Sequence, residues 1–309
     1  MDLSIVIPIY NEREVLELLI QRLGDLLGTL DLQHELIFVD DGCTDGSAEV
    51  LRALTVSVPT LTIVRLSRNF GKEAAVTAGL DHSSGDAVII MDADLQDPPE
   101  LIPDMLDSWR AGHDVVCMRR RSRRGEARFK CLSAYCFYRL LSAISDVDIP
   151  VDTGDFRLLS RKAVNALAQL RERNRYMKGL YAWIGLPTAV IEYDRAPRAA
   201  GHTKWNALRL FGLAFEGITS FSTAPLRLAM GIGLVTALVG AVFAIWIIAK
   251  TLLFGEPVKG YPSLISIIAV LGGIQLISIG LLGEYIGKTY HETKQRPLYL
   301  VRELVNHEK

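Results

Sequence analysis

Two aspartates one residue apart, Asp92 and Asp94 in the segment VIIMDADLQDPPE (88–100), follow an apolar run and precede a Pro-Pro pair. Alternate side chains of a strand share a face, so the two carboxylates are expected to converge where a strand opens into a loop. Such a pair repels itself unless a cation joins it. Oxygen donors suit Mg²⁺ or Mn²⁺, which bind few protein carboxylates and complete their shell with substrate phosphates. An ordinary solvated turn uses the same residue types, so this pair by itself leaves both readings open.

The surrounding elements bear on that choice. Short Val/Ile-rich runs, LSIVIPIY, ELIFVDD, LTIVRLS, DAVIIMDAD and HDVVCMR, alternate with stretches of helical spacing such as 14–27 and 46–54. The alternation predicts an α/β domain with a mostly parallel sheet. In such sheets ligands bind beyond the carboxyl ends of the strands. Four successive ends carry polar clusters: Asn11 and Glu12, then Asp40-Asp41-Gly42, then Asn69 to Lys72, then Asp92 and Asp94. Neither G-x-G-x-x-G nor G-x-x-x-x-G-K-[ST] occurs, which removes the dinucleotide fingerprint and the P-loop.

Half of the 309 residues are hydrophobic, and the apolar excess is localised. Residues 228–249 hold no charge and would form a helix of roughly 33 Å, enough for a hydrocarbon core of about 30 Å. A second uncharged stretch, 260–283, follows the short connection GEPVKGYPS, and the two together read as a hairpin in a lipid bilayer. Soluble helices rarely run so far without a charge on any face. Arg209 and Arg227 precede the first span and Lys288, Lys294, Arg296 and Arg302 follow the second. The connection has only Lys259, offset by Glu256, so both termini and the α/β domain are expected on the cytoplasmic side. The run Leu3 to Ile9, broken by Pro8, is too short for a signal peptide. Residues 205–223 read equally as an interfacial amphipathic helix or a core-facing one. The expected organisation is therefore a catalytic domain (1–200), a juxtamembrane loop and amphipathic helix (201–226), two spans (227–287) and a cytoplasmic tail (288–309). A net charge of −1 suggests no nucleic-acid partner. Four cysteines without C-x-x-C spacing make no case for zinc or disulfides.

The motifs VIPIYNE, DDGCTDGS, LSRNFGKEAA, MDADLQDPPE, DTGDFRLLSRKAV, GHTKW and QRPLY, in this order along essentially the whole chain, resemble the family 2 inverting glycosyltransferases that act on polyprenyl phosphates. Within that group the two spans are similar to the bacterial undecaprenyl-phosphate glucosyltransferase and multispan dolichyl-phosphate mannose synthase types. The resemblance implies a GT-A fold at the bacterial inner (plasma) membrane and self-association, tetramer-like, through the membrane part. It implies a nucleotide-sugar donor, a polyprenyl phosphate acceptor, and Mg²⁺ or Mn²⁺ as cofactor. The donor leans to UDP-glucose, with GDP-mannose, UDP-galactose and UDP-N-acetylglucosamine open. Carried over by motif, Pro8, Tyr10, Glu12, Asp41 and Lys72 would serve the nucleotide sugar, and Asp92 and Asp94, with Gln96 beside them, the metal and diphosphate. Asp155 would be the catalytic carboxylate and Arg157 an anion contact. Cys43 stands where the family usually has Ser.

The Q-x-x-R-W motif of processive synthases is absent, which implies one transfer per acceptor. A processive synthase and a non-catalytic scaffold remain the competing readings. The nucleophile of the implied reaction is a phosphate oxygen, mostly deprotonated at neutral pH, so Asp155 is expected to orient the acceptor or stabilise positive charge at least as much as to remove a proton. A turn or helix-cap role would use the same residue. The basic run MRRRSRRGEARFK (118–130) reads as a solvated helix start, a nucleic-acid patch or a phosphate clamp. In a membrane enzyme the clamp is favoured, with Arg119 and Arg128 as candidates. Lys204, with His202, lies in a segment able to close over the site.

Overall fold

The computed structural model describes residues 1–56, 58–121, 153–194, 223–254 and 260–306. They fall into two compact units, an α/β unit that the segment after Arg296 rejoins and a unit of two long helices.

The α/β unit runs β1 (Leu3–Ile9), α1 (Arg13–Leu27), β2 (His34–Asp40), α2 (Ser47–Thr55), β3 (Leu61–Leu66), α3 (Lys72–His82), β4 (Ala87–Ile90), a 3₁₀ turn (Pro99–Leu101), α4 (Ile102–Arg110), β5 (Val115–Arg120), β6 (Thr153–Ser160), α5 (Arg161–Leu167), α6 (Met177–Trp183) and β7 (Thr188–Tyr193). One further strand, Val301–Val305, follows the second unit and is β8. The sheet order is β7-β5-β6-β4-β1-β2-β3-β8. At its centre β1 pairs in parallel with β2 and β4, and β2 with β3. The flank is mixed: β6 runs antiparallel to both β4 and β5, and β7 returns parallel to β5. Because β1 lies between β2 and β4, the strand order reverses there. In open α/β sheets such a switch point, here at the carboxyl ends of β1 and β4, is where ligands bind.

Local sequence explains the packing. Strands β1 and β4 are covered on both faces and read as nearly unbroken apolar runs. Helix α1 turns Val15, Leu16, Leu19, Ile20, Leu23 and Leu27 to the core at helical spacing. Helix α3 lies against β1 so closely that a Cβ on Gly79 would come 2.2 Å from Val6 Cγ1. Glycine is what lets helix and sheet meet there.

Within the segment expected as a cytoplasmic tail (288–309), Val301–Val305 adds a strand to the sheet. β8 pairs antiparallel with β3, Ile63 opposite Val305 and Arg65 opposite Glu303. Glu303 forms an ion pair with Arg52. Ahead of the strand, Tyr299 donates its hydroxyl to Asp81 at 2.7 Å, and Arg171 grips the same carboxylate at 2.7 and 2.9 Å. LVRELV has no strict apolar–polar alternation, and only tertiary pairing reveals the strand and its edge position.

The second unit holds α7 (Ala224–Phe254) and α8 (Tyr261–Thr293). Both contain stretches long and apolar enough to cross a membrane, Pro225–Phe243 and Val270–Thr293, with mean hydropathies of 2.0 and 1.5. Their large apolar side chains face outward, Leu228, Met230 and Leu234 among them. α8 outruns the expected second span, continuing through Glu284 and Lys288. Its 33 residues would reach roughly 50 Å at about 1.5 Å per residue, well beyond a hydrocarbon core of about 30 Å.

Candidate active site

The carboxyl edge of the sheet brings the loaded strand ends together, and they do different work. After β2, Asp40 accepts a hydrogen bond from the Cys43 amide at 2.7 Å, and Arg65 Nε lies 3.2 Å from its other oxygen. Asp41 accepts from the amides of Phe70 at 2.7 Å and Gly71 at 3.0 Å, one on each carboxylate oxygen. Burial raises its pKa, the two amides oppose that, and the neighbouring Asp40 adds to it. Gly42 sits at φ +76°, where a Cβ would come 2.7 Å from the Asn69 nitrogen. Only glycine tolerates both that φ and that approach. The DDG sequence is thus a brace that fixes the Asn69–Gly71 loop. Asp41, expected to line the nucleotide pocket, is 3% exposed and has both oxygens committed to backbone.

The turn after β1 is tied to the same brace. Asn11 takes φ +58° and accepts from the Thr44 amide at 2.8 Å. Cys43 Sγ accepts from the Asn11 amide at 3.2 Å and approaches the Ile9 carbonyl at 3.7 Å. The sulfur therefore makes the contacts a serine hydroxyl would make. Burial, with smaller help from Asp40, pushes the thiol up to about 12, so it stays protonated. Pro8 lies within β1, opposite Val39. Tyr10 projects from the strand end, 43% exposed, and Glu12 immediately precedes α1.

At the switch point the carboxylates meet side chains as well as backbone. Strand β4 stops at Ile90, so Asp92 and Asp94 lie in the loop beyond it and do not share a face by strand alternation. Asp94 is 6% exposed and accepts from the Gln96 amide at 3.2 Å, across the left-handed Leu95 at φ +57°. Asp92 is half-buried. The register of the antiparallel β6 sets Arg157 opposite Ile90. Asp155, two residues earlier, therefore overhangs the end of β4 beside Asp92. Between them stands Lys72, the first residue of α3, with Nζ 2.5 Å from Asp92 Oδ1 and 2.6 Å from Asp155 Oδ2.

Further charges sit behind Asp155. Burial alone would raise its pKa, but the charges of Lys72 and Lys178, the hydrogen bond from Lys72 and the charge of Arg157 outweigh that and hold it well below the usual carboxylate range. Arg157, expected to contact an anion, is 2% exposed. Its guanidinium stacks 3.8 Å above the Tyr181 ring and donates to the Gly154 carbonyl at 2.8 Å. It supports Asp155 from behind. Glu73 takes the opposite shift, up to about 7, through burial first and the Asp155 charge second, against Lys72, Lys178 and the Met177 amide. Glu73 was not among the residues expected at the site, although it lies in the motif LSRNFGKEAA, and neither were Lys178 and Tyr181, because YMKGLY carries no pattern tying it to Asp155.

Arg119 lies opposite Thr153 in the sheet and forms an ion pair with Glu192. Arg128, His202, Lys204 and the expected interfacial helix lie outside the described residues. Among the described residues no three His, Cys, Asp or Glu side chains gather to hold a metal. Asp92 and Asp94 supply oxygen donors only, the type that fits a hard cation whose remaining ligands come from substrate and water.

Residues 4–168 match Glycosyl transferase family 2, and residues 224–289 match the GtrB C-terminal hairpin. The chain belongs to glycosyl transferase family 2. It is 46% identical over 302 residues to the bactoprenol glucosyl transferase of Shigella phage SfV, covering 98% of each chain. It is 48% identical to an uncharacterized glycosyltransferase of Synechocystis sp. across 98% of this chain and 95% of that one. Among solved structures it aligns with glucosyl-3-phosphoglycerate synthase from Mycobacterium tuberculosis at 22% identity and TM-score 0.49, over 71% of this chain and 77% of that one. The GT-A architecture expected from the motifs is the one observed, a mixed sheet with a parallel centre followed by two apolar helices.

Proposed function

We propose that this family 2 enzyme moves one glucose, with inversion, from UDP-glucose to a polyprenyl phosphate of the undecaprenyl type at the cytoplasmic face of a bacterial membrane. The observation that carries this reading is the 46% identity to a bactoprenol glucosyl transferase over 98% of both chains, sheet and hairpin together. The apolar outer surface of α7 and α8 suits an enzyme whose acceptor lives in lipid. Charge flanking the spans supports a cytoplasmic catalytic unit.

The chemistry follows from the charges at the switch point. As the glycosidic bond breaks, negative charge grows on the β-phosphate of the leaving nucleoside diphosphate. Asp92 and Asp94 would hold a Mg²⁺ or Mn²⁺ ion, which as a Lewis acid neutralises that charge. Lys72 adds a second positive group at the same place. The acceptor phosphate needs little activation, its second pKa being near 6. Asp155, held anionic far below that value, is a weak base, and its role is to orient the acceptor and stabilise positive charge at the anomeric carbon. Asp155→Asn activity should stay low as pH is raised; restoration by alkali would make Asp155 the base.

Purified full-length protein incubated with labelled nucleotide sugars, Mg²⁺ and undecaprenyl phosphate tests the whole reading. One glucose per lipid from UDP-glucose is the expected product. Transfer only from GDP-mannose or another UDP-sugar would change the donor, a growing polymer would make the enzyme processive, and no product from any donor would remove the function.

A further inference from the structure

Lys72 contacts two carboxylates at once. Its ammonium is 2.5 Å from Asp92 and 2.6 Å from Asp155, and a compact ammonium with three donors can serve both together. Its backbone is fixed: the preceding Gly71, at φ +97°, is hydrogen-bonded through its amide to Asp41. The side chain is not enclosed. Lys72, Asp92 and Asp155 retain 42%, 27% and 30% side-chain exposure, so an ion from solution can reach the pair.

We propose that Lys72 is a placeholder for the divalent cation, joining Asp92 to Asp155 until metal and donor arrive, and then released from Asp92 to face Asp155 and the incoming diphosphate. The inference rests on the reading that Asp92 helps to hold a metal. An ammonium and a divalent ion repel each other too strongly to share one carboxylate oxygen. Metal entering at Asp92 must therefore displace the Lys72 contact. Asp155 loses nothing by the exchange, because Lys72 stays within its reach and Lys178 and Arg157 stabilise its charge. The diphosphate brings the negative charge that both cations then neutralise. Metal and donor should consequently bind as a cooperative pair, each weakly without the other.

The test is Mn²⁺ binding to the full-length, detergent-solubilised protein, read from the electron paramagnetic resonance signal of free Mn²⁺ with no nucleotide sugar present. Lys72→Gln should bind Mn²⁺ at least about tenfold more tightly than the wild type, the order expected when a competing contact charge is removed. Lys72→Arg, which keeps the cation, should bind as weakly as the wild type, and adding Asp92→Asn to Lys72→Gln should erase the gain. Equal affinity in Lys72→Gln and wild type, with Asp92→Asn abolishing binding, would leave the metal site standing and overturn the placeholder. A gain that survives Asp92→Asn would overturn it as well. No Mn²⁺ binding by any variant, even with UDP-glucose added, would overturn the metal reading and the placeholder with it.

Discussion

The ends of β2 and β4 each present two aspartates, and the chain uses them in opposite ways. At β2, Asp40 and Asp41 are buried and spent on backbone amides, three hydrogen bonds that fix the turn and the Asn69–Gly71 loop. At β4, Asp92 reaches an ammonium that it shares with Asp155 on another strand. A carboxylate holding amides is scaffolding, because its charge is already answered by dipoles of the fold. One held by a mobile side chain can exchange that partner for a ligand. The two ends are coupled, since the loop braced by Asp41 leads directly into Lys72.

The widest separation between the ends should appear in activity. Asp92→Asn or Asp155→Asn should lower kcat/KM by on the order of 10²–10³-fold, as loss of a group acting on transition-state charge does, while in Asp92→Asn the thermal midpoint in detergent stays near that of the wild type. A large drop in that midpoint would place the β4 end with the scaffolding. Asp41→Ala should do the reverse: with the amides of Phe70 and Gly71 left unpaired, it should cost about 1–3 kcal/mol of stability. Thermal unfolding measures this, and an unchanged midpoint with lost activity would return Asp41 to the nucleotide pocket.

Within the β4 region itself, pH separates Glu73 from Asp155. The Glu73 pKa is about 7 folded against an ordinary value of 4.5. Between those values the folded chain binds more protons than the unfolded one, so raising pH through that window removes stability. Asp155 has the opposite sign: its lowered pKa gives stability that is present above 3.8 and lost as pH falls below it. Glu73→Gln should flatten the decline between about pH 4.5 and 7 and raise the midpoint at pH 8; an unaltered profile would remove Glu73 from the charged group. The smallest effect belongs to the β2 turn, where Cys43→Ser should change stability by less than about 1 kcal/mol, because a hydroxyl can accept from Asn11 and donate to Ile9.

Strand and helix periodicity made the α/β order and the two apolar helices legible, because each depends on neighbours a few residues apart. The motif VIIMDAD located the metal-binding candidates for a reason the structure revises: Asp92 and Asp94 do not share a strand face. β8 was missed because an edge strand returning after two long helices leaves no local sign of its partner. Arg157 was expected at an anion from the TGDFR motif, which says nothing about burial; the fold buries it and stacks it on Tyr181.

By itself the sequence determined the kinds of group available at each strand end, the absence of P-loop and dinucleotide fingerprints, and the two long uncharged stretches, all properties of residue type and short spacing. Tertiary structure decided which carboxylates are held by backbone amides and which by a side-chain cation. Asp41 and Asp92 are the same residue type, each within two residues of a strand's end, and nothing local tells them apart. The difference lies in what comes from elsewhere in the chain: the amides of residues 70 and 71 at one end, the ammonium of Lys72 and the overhanging Asp155 at the other.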